Sequence, residues 1–264
     1  MLSPTHLLKS GNNESTKSLP GYQPRYIKDV IVISVIDEET LSSYRWSMAV
    51  IVGMVSQKGG VGKSTLSRLV AREYALAGWT VKIADLDVSQ GTSFNWQSRR
   101  LQAGIEPVIP VERFGTVEQA LKTGDHYDLL ILDGPPHSTA GTLKIAAASL
   151  LTILPTGLSL DDLEPSVSLA HELRKREIKA AKIAFALSRV GDSESEIEEA
   201  REYITEAGYR VLAGSLPEKT AYRRASDEGR SLTETRFPSL NKRSDELAQG
   251  IVDLITQMQK GKAA

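Results

Sequence analysis

Cysteine is absent from all 264 residues, which excludes disulfides and thiolate-held iron–sulfur clusters. Excess charge of either sign is missing as well: 32 Lys and Arg stand against 33 Asp and Glu, a net charge of −1. Global electrostatics therefore give no attraction to nucleic acid, and any such contact must come from a local basic patch. No apolar run approaches the roughly 18–20 residues that span a bilayer. The first residues also lack the basic-then-apolar order of a signal peptide, so a cytoplasmic protein is expected. No internal repeat is visible.

What is present is a regular alternation of short apolar runs with helical patterns, which predicts one α/β domain with a mostly parallel sheet covered by helices on both faces. Strands are expected at 49–55, 81–84, 129–132, 150–154, 183–187 and 211–213. Helices are expected from Leu66 to a stop at Gly78, and over 118–121, 143–148, 160–176 and 194–207, with Pro165 in the first turn or so of its helix. Leu247, Ile251, Leu254, Ile255 and Met258 form the apolar stripe of a last helix that is expected to dock on the domain's own core. Residues 1–47 are polar and turn-prone apart from an apolar run at 30–36. They read as a poorly ordered N-terminal extension, with the domain spanning 48–264 and its natural start expected at Met48.

The chemistry concentrates in QKGGVGKST, Gln57 to Thr65, between the first strand and the first helix. Glycines at 59, 60 and 62 permit backbone conformations that turn successive N–H groups toward an anion, and the following helix adds its positive end. In that geometry Lys63 reaches the β- and γ-phosphates of a nucleotide and the Ser64 hydroxyl holds Mg²⁺. Gln57 stands where the ordinary phosphate-loop pattern has its first glycine, and a second lysine, Lys58, precedes the glycines.

The pattern K-G-G-x-G-K-[ST] resembles the deviant Walker A loop of the ParA/MinD class of P-loop NTPases, and the resemblance extends over most of the chain after Met48. It implies that Lys58, Gly59, Gly60, Val61, Gly62, Lys63, Ser64 and Thr65 bind ATP, and that Lys58 crosses a dimer interface to the phosphates of the opposite subunit. A cation delivered from a partner would act like an arginine finger supplied in trans. The lack of cysteine removes the iron–sulfur relatives of this class.

Three aspartates follow predicted strands, where open parallel sheets bind ligands. Asp133 after Leu129–Leu132 is placed as in a Walker B strand, with its carboxylate at Mg²⁺. Asp85-Leu86-Asp87 resembles the D-x-D element of ParA-type ATPases; period-two spacing puts both carboxylates on one side of the chain. The resemblance assigns Asp85 to the metal's surroundings and Asp87 to orienting the attacking water, so Lys58, Lys63 and Asp87 are the expected catalytic residues. It also brings Pro217 to the adenine, although no asparagine follows Ser188 as in some relatives.

The reading is a small ParA-type ATPase, without an operator-binding domain, that dimerises on ATP and is stimulated by a ParB-type centromere-binding protein during plasmid or chromosome segregation. Non-specific DNA contact is assigned to Arg223, Arg224 and Arg230, with Arg174, Lys175, Arg176, Lys242 and Arg243 as further candidates, and would make the ATP state nucleoid-associated. The rival is a MinD-like, membrane-associated or cargo-positioning ATPase. Asp245, Glu246 and Asp253 in the last helix argue against stable membrane association. A dethiobiotin synthetase-like ligase is a third reading, and that class lacks the lysine at the Lys58 position.

Overall fold

The hydrophobic runs are continuous because the strands they form are buried on both faces. The computed structural model describes residues 49–137 and 139–263; the expectations for residues 1–47 and Met48 lie outside these. The strands are β1 (Val50–Met54), β2 (Val81–Asp85), β3 (Val111–Arg113), β4 (Leu129–Asp133), β5 (Leu151–Thr156), β6 (Ile183–Val190), β7 (Arg210–Val211) and β8 (Leu216–Pro217). They pair in the order β3-β2-β4-β1-β5-β6-β7, with β8 also on β6, and every pairing is parallel. Parallel neighbours need crossovers. The main ones are α1 (Lys63–Leu76), α2 (Thr92–Gln102), α3 (Val117–Leu121), α4 (Thr139–Ala148), α5 (Leu160–Lys175) and α6 (Glu194–Glu206), followed by α7 (Thr220–Asp227) and α8 (Pro238–Ala263).

Alternate strand residues feed two separate apolar layers. Val52, Met54, Leu129 and Ile131 pack with Leu66 and Leu69 of α1 and with Leu247, Ile251 and Ile255 of α8. Leu130, Leu132 and Phe185 pack with Ile145 of α4, Leu169 of α5 and Ile197 of α6. The last helix therefore spends its apolar stripe on the domain's own core, as its sequence predicts: Leu247, Ile251 and Ile255 are fully buried. Among the described residues no helix is long and apolar enough to cross a membrane.

Two prolines differ from expectation. Pro165 is the sixth residue of α5 rather than a first-turn residue. It lacks the N–H that would bond one turn back, a loss set against the long buried face of Leu163, Val167, Leu169, Ala170 and Leu173. Pro155 lies inside β5. The Ile153 carbonyl, which faces β1, accepts from Val55, and the β1 pairing ends at Met54↔Ile153. Pro155 is two residues further on, so its missing N–H leaves no ladder bond unmade. Gly78 ends α1 as expected, with φ 89° just after the C-cap.

Candidate nucleotide-binding site

The loop from Gln57 to Gly62 leaves the carboxyl end of β1 and turns directly into α1. Gly62 is the N-cap of α1 with φ 106°, and a Cβ there would meet Ser188 Oγ of β6 at 2.7 Å. Both the backbone and the space therefore demand glycine. No side chain caps the helix, which leaves its first N–H groups and positive end to an incoming anion.

The two lysines of the loop point to different partners. Lys63 is buried, and its Nζ donates to the Lys58 carbonyl at 3.1 Å. Burial lowers its pKa, while the charges of Asp133 and Asp87 oppose that shift, so both carboxylates act on this ammonium. Lys58 Nζ instead donates to Asp162 Oδ1 at 2.8 Å, and its backbone N–H donates to Ser56 Oγ at 3.0 Å. Asp162 sits in the first turn of α5, where the helix dipole favours a carboxylate, and its Oδ2 accepts from Ser159 Oγ at 3.2 Å. Lys58 and Asp162 line a groove of about 540 Å³ over the outer side of the loop, shared with Gly59, Gly157 and Arg189.

The register of β2 on β4 sets Asp85 directly beside Asp133, and both are buried. Asp85 is fully engaged: Oδ1 accepts from the Asp87 N–H at 3.1 Å, and Oδ2 from the N–H groups of Ser93 and Phe94 at 3.0 and 3.1 Å. The last two belong to the first turn of α2, so Asp85 caps that helix from the sheet. Asp133 Oδ2 accepts from Ser93 Oγ at 2.7 Å, whereas Oδ1 is buried with no hydrogen-bond partner. Burial pushes the Asp133 carboxyl up to about 6 against the Ser93 hydrogen bond; neighbouring Asp85 adds to the rise, while Ser64 and Arg68 oppose it.

An orphaned, buried carboxylate oxygen is an uncommon feature that calls for a ligand. Among the described residues no three acidic or histidine side chains converge on a metal position. A metal here would therefore take few protein ligands, which fits Mg²⁺ held by one carboxylate, a hydroxyl, water and substrate phosphates. Asp133 and Ser64 are the residues on hand. Both oxygens of Asp85 are taken up by backbone N–H groups, so a part for it at a metal would run through the backbone it holds. Asp87 lies half-buried in the loop after β2, where its Oδ1 accepts from Ser89 Oγ at 2.7 Å and from the Gln90 N–H at 3.1 Å.

Beside the loop opens a cavity of about 380 Å³ whose wall includes Gly60, Thr65, Leu216, Pro217, Tyr222 and Ser226. It has the size and mixed lining of a small-molecule site, and Pro217 is part of its wall. In the segment after Ser188, Arg189 takes a left-handed conformation, φ 59°, and donates to the Gly60 carbonyl at 3.2 Å and to Glu218 at 3.3 Å. Arg223 also lines this cavity, with its guanidinium on Glu218 Oε1 at 3.0 Å. Arg224 is exposed, and Arg230 pairs with Glu228 at 3.4 Å.

Sequence reasoning did not single out Ser93, Arg68, Asp162 or Arg189. Asp162 carries a local signal, a carboxylate three residues after Ser159 at a helix start. Ser93 and Arg68 carry none, because each reaches its partner only through the tertiary fold.

The family model of the CobQ/CobB/MinD/ParA nucleotide binding domain matches residues 52–232. The chromosome-partitioning ATPase Soj of Thermus thermophilus is 30% identical over 154 residues, which are 47% of this chain and 61% of that protein, so the chain spans about three fifths of this relative's length. The cell division ATPase MinD of Pyrococcus furiosus superposes with a TM-score of 0.63 at 20% identity, over 78% of this chain and 100% of that one. The septum site-determining protein MinD of Pyrococcus horikoshii, solved with Mg-ADP, gives 0.62 at 19% identity over 80% and 99%. At such identities the superpositions show the fold, and the family match covers the phosphate loop, the strand-end aspartates and the cavity wall. The chain belongs to the CobQ/CobB/MinD/ParA nucleotide-binding family.

Proposed function

We propose that this protein is an ATPase of the ParA type: it binds ATP and Mg²⁺, dimerises on ATP, hydrolyses it, and in the ATP state binds DNA without sequence preference to segregate a plasmid or chromosome. The observation that carries the reading is the convergence at one end of the sheet of the two-lysine glycine loop and the unsatisfied Asp133 Oδ1. A relative named as a chromosome-partitioning ATPase supports the choice of process.

In this reading the triphosphate lies on the N–H groups of the loop and of the first turn of α1, and Lys63 exchanges the Lys58 carbonyl for phosphate oxygens. Mg²⁺ supplies charge neutralisation across the phosphates. Asp133 and Ser64 hold it, and Ser93 fixes which carboxylate oxygen is presented. Asp87 orients the water that attacks the γ-phosphorus as the bond to the ADP oxygen breaks. Lys58 exchanges Asp162 for the phosphates of a second subunit, whose loop occupies the outer groove. A ParB-type protein is the proposed stimulator. The domain begins at or near Met48 in this reading, with residues 1–47 as an appendage.

The MinD-like alternative needs a helix free to meet a membrane, and the apolar stripe of α8 is already buried. The deciding experiment is binding to random-sequence duplex DNA and to anionic liposomes, with ADP and with ATP, across a salt series. ATP-dependent, salt-sensitive DNA binding is expected. Binding to liposomes in place of DNA would overturn the partition reading and leave the nucleotide site standing.

A further inference from the structure

Arg68 lies on α1, five residues after the phosphate-loop lysine, and is only 4% exposed. Among the described residues its guanidinium makes no ion pair. Nη1 donates to Ser226 Oγ at 2.8 Å, Nε donates to Ser93 Oγ at 3.4 Å, and Nη2 is buried with no partner. The guanidinium carbon sits 5.6 Å from the centre of the Trp96 ring. Burying a cation with so little compensation is costly. An apolar side chain would fill the same place against Trp96 at lower cost, so packing alone does not account for arginine here.

Its two serines do. Ser93 Oγ in turn donates to Asp133 Oδ2 at 2.7 Å, and Ser226 belongs to the wall of the cavity beside the phosphate loop. A continuous polar chain therefore runs from the cavity through Ser226, Arg68 and Ser93 to Asp133, joining α7, α1, α2 and β4.

We propose that Arg68 is a positioning residue that couples occupancy of the base cavity to the carboxylate that holds the metal. The proposal rests on the nucleotide reading above and adds to it a link between its two halves. By donating to Ser93 Oγ, Arg68 leaves that hydroxyl one direction for its proton, toward Asp133 Oδ2, and so keeps Oδ1 as the open oxygen. A base seated in the cavity packs on α7 and fixes Ser226, and Arg68 carries that order to Ser93. Removing Ser226 or Arg68 takes away what orders the Ser93 hydroxyl, and with it the constraint on which Asp133 oxygen that hydroxyl meets.

The test reads binding rather than turnover. ATP is titrated into the wild-type protein, Ser226→Ala and Arg68→Met, in Mg²⁺ and in EDTA, and the quantity compared is the factor by which Mg²⁺ strengthens ATP binding. The affinity of free ATP for Mg²⁺ is common to all variants and cancels. Ser226→Ala deletes one oxygen from a half-buried residue remote from the metal carboxylate, so it keeps the test open where Arg68→Met does not fold. The factor is expected to fall at least about fivefold in both variants, within the range of ordinary coupling between sites. A merely structural role would weaken ATP equally with and without Mg²⁺, and an unchanged factor in Ser226→Ala overturns the proposal. Failure of the wild-type protein to bind ATP at all would overturn the nucleotide reading itself, a separate result.

Discussion

Lys58 and Asp162 are separated by 104 residues in the chain and by 2.8 Å in the fold, ammonium to carboxylate. The lysine assigned to a partner's phosphates is thus held by its own subunit. Their side chains are 39% and 29% exposed, so the pair contributes about 1 kcal/mol or less to stability, and solvent screens it. On the proposed ATP dimer its effect would be larger in kind, because the same ammonium cannot serve Asp162 and a phosphate at once. Asp162→Asn is expected to leave the melting temperature within about 4 °C of wild type while lowering the ATP concentration needed for dimerisation. Sedimentation across an ATP series measures this; an unchanged midpoint would show that the pair does not compete with assembly.

Asp133 ties stability to pH in the direction opposite to an ordinary ion-paired carboxylate. Burial raises its pKa from 3.8 to about 6, so the folded state holds the proton more tightly than the unfolded one between those values. Its contribution is most favourable below pH 3.8, declines as pH rises to about 6, and is a constant penalty above, of about 3 kcal/mol for a shift of this size. Without metal, Asp133→Asn is expected to stabilise the protein at pH 7.5 by up to about 3 kcal/mol and by little at pH 4. The asparagine oxygen can still accept from Ser93, so the fold keeps that bond. Urea titrations in EDTA at the two pH values test the sign, and a loss of stability at pH 7.5 would show that burial of the charge is not what Asp133 costs. The same variant is expected to lose the strengthening of ATP binding by Mg²⁺.

The strand-end aspartates and the glycine loop were legible because both signals are local: apolar runs announce the strands, and the loop follows one of them within a few residues. Helix α2 was not legible. Its sequence, TSFNWQSRRLQ, turns Ser93 and Arg100 inward, both essentially fully buried, so no apolar stripe marks the inner face. Arg100 is satisfied by Glu234, 134 residues away, through bonds of 2.7 and 2.9 Å. Arg68 hides for the same reason, since a lone arginine in a helix reads as solvated until Ser226 arrives from the far end of the chain. Polar burial is decided by partners that only the tertiary fold brings together.

The roles proposed for Lys63 and Asp87 separate binding from turnover. Lys63 is buried at the start of α1 and faces the charges of Asp133 and Asp87, so Lys63→Ala removes the cation that offsets them and is expected to abolish ATP binding. The Asp87 side chain accepts its hydrogen bonds from its own turn, from Ser89 and Gln90. Asp87→Ala is therefore expected to bind ATP with wild-type affinity and accumulate as a non-hydrolysing dimer. Equilibrium binding with sedimentation distinguishes the two variants, and a monomeric Asp87→Ala at saturating ATP would refute its role with the attacking water.

Arg223 and Arg224 are neighbours on α7 and yet face different chemistry. Both are exposed, but Arg223 lines the cavity beside the phosphate loop, on Glu218 at 3.0 Å and on Thr220 Oγ1 at 3.2 Å, whereas Arg224 is not part of that wall. Sequence alone groups them as one basic pair for DNA; the fold separates them. Loss of a cavity-wall arginine is worth about 1 kcal/mol, roughly fivefold in affinity, so Arg223→Ala is expected to weaken ATP binding by that order. Arg224→Ala removes one phosphate contact and is expected to leave ATP binding unchanged while reducing the salt slope of DNA binding by about one. Both slopes are measured in the ATP state at saturating nucleotide, so that weaker ATP binding cannot mimic weaker DNA binding. A slope that falls with Arg223→Ala and not with Arg224→Ala would move the DNA surface to the cavity side of α7, because the counterions released report which guanidinium meets the phosphates.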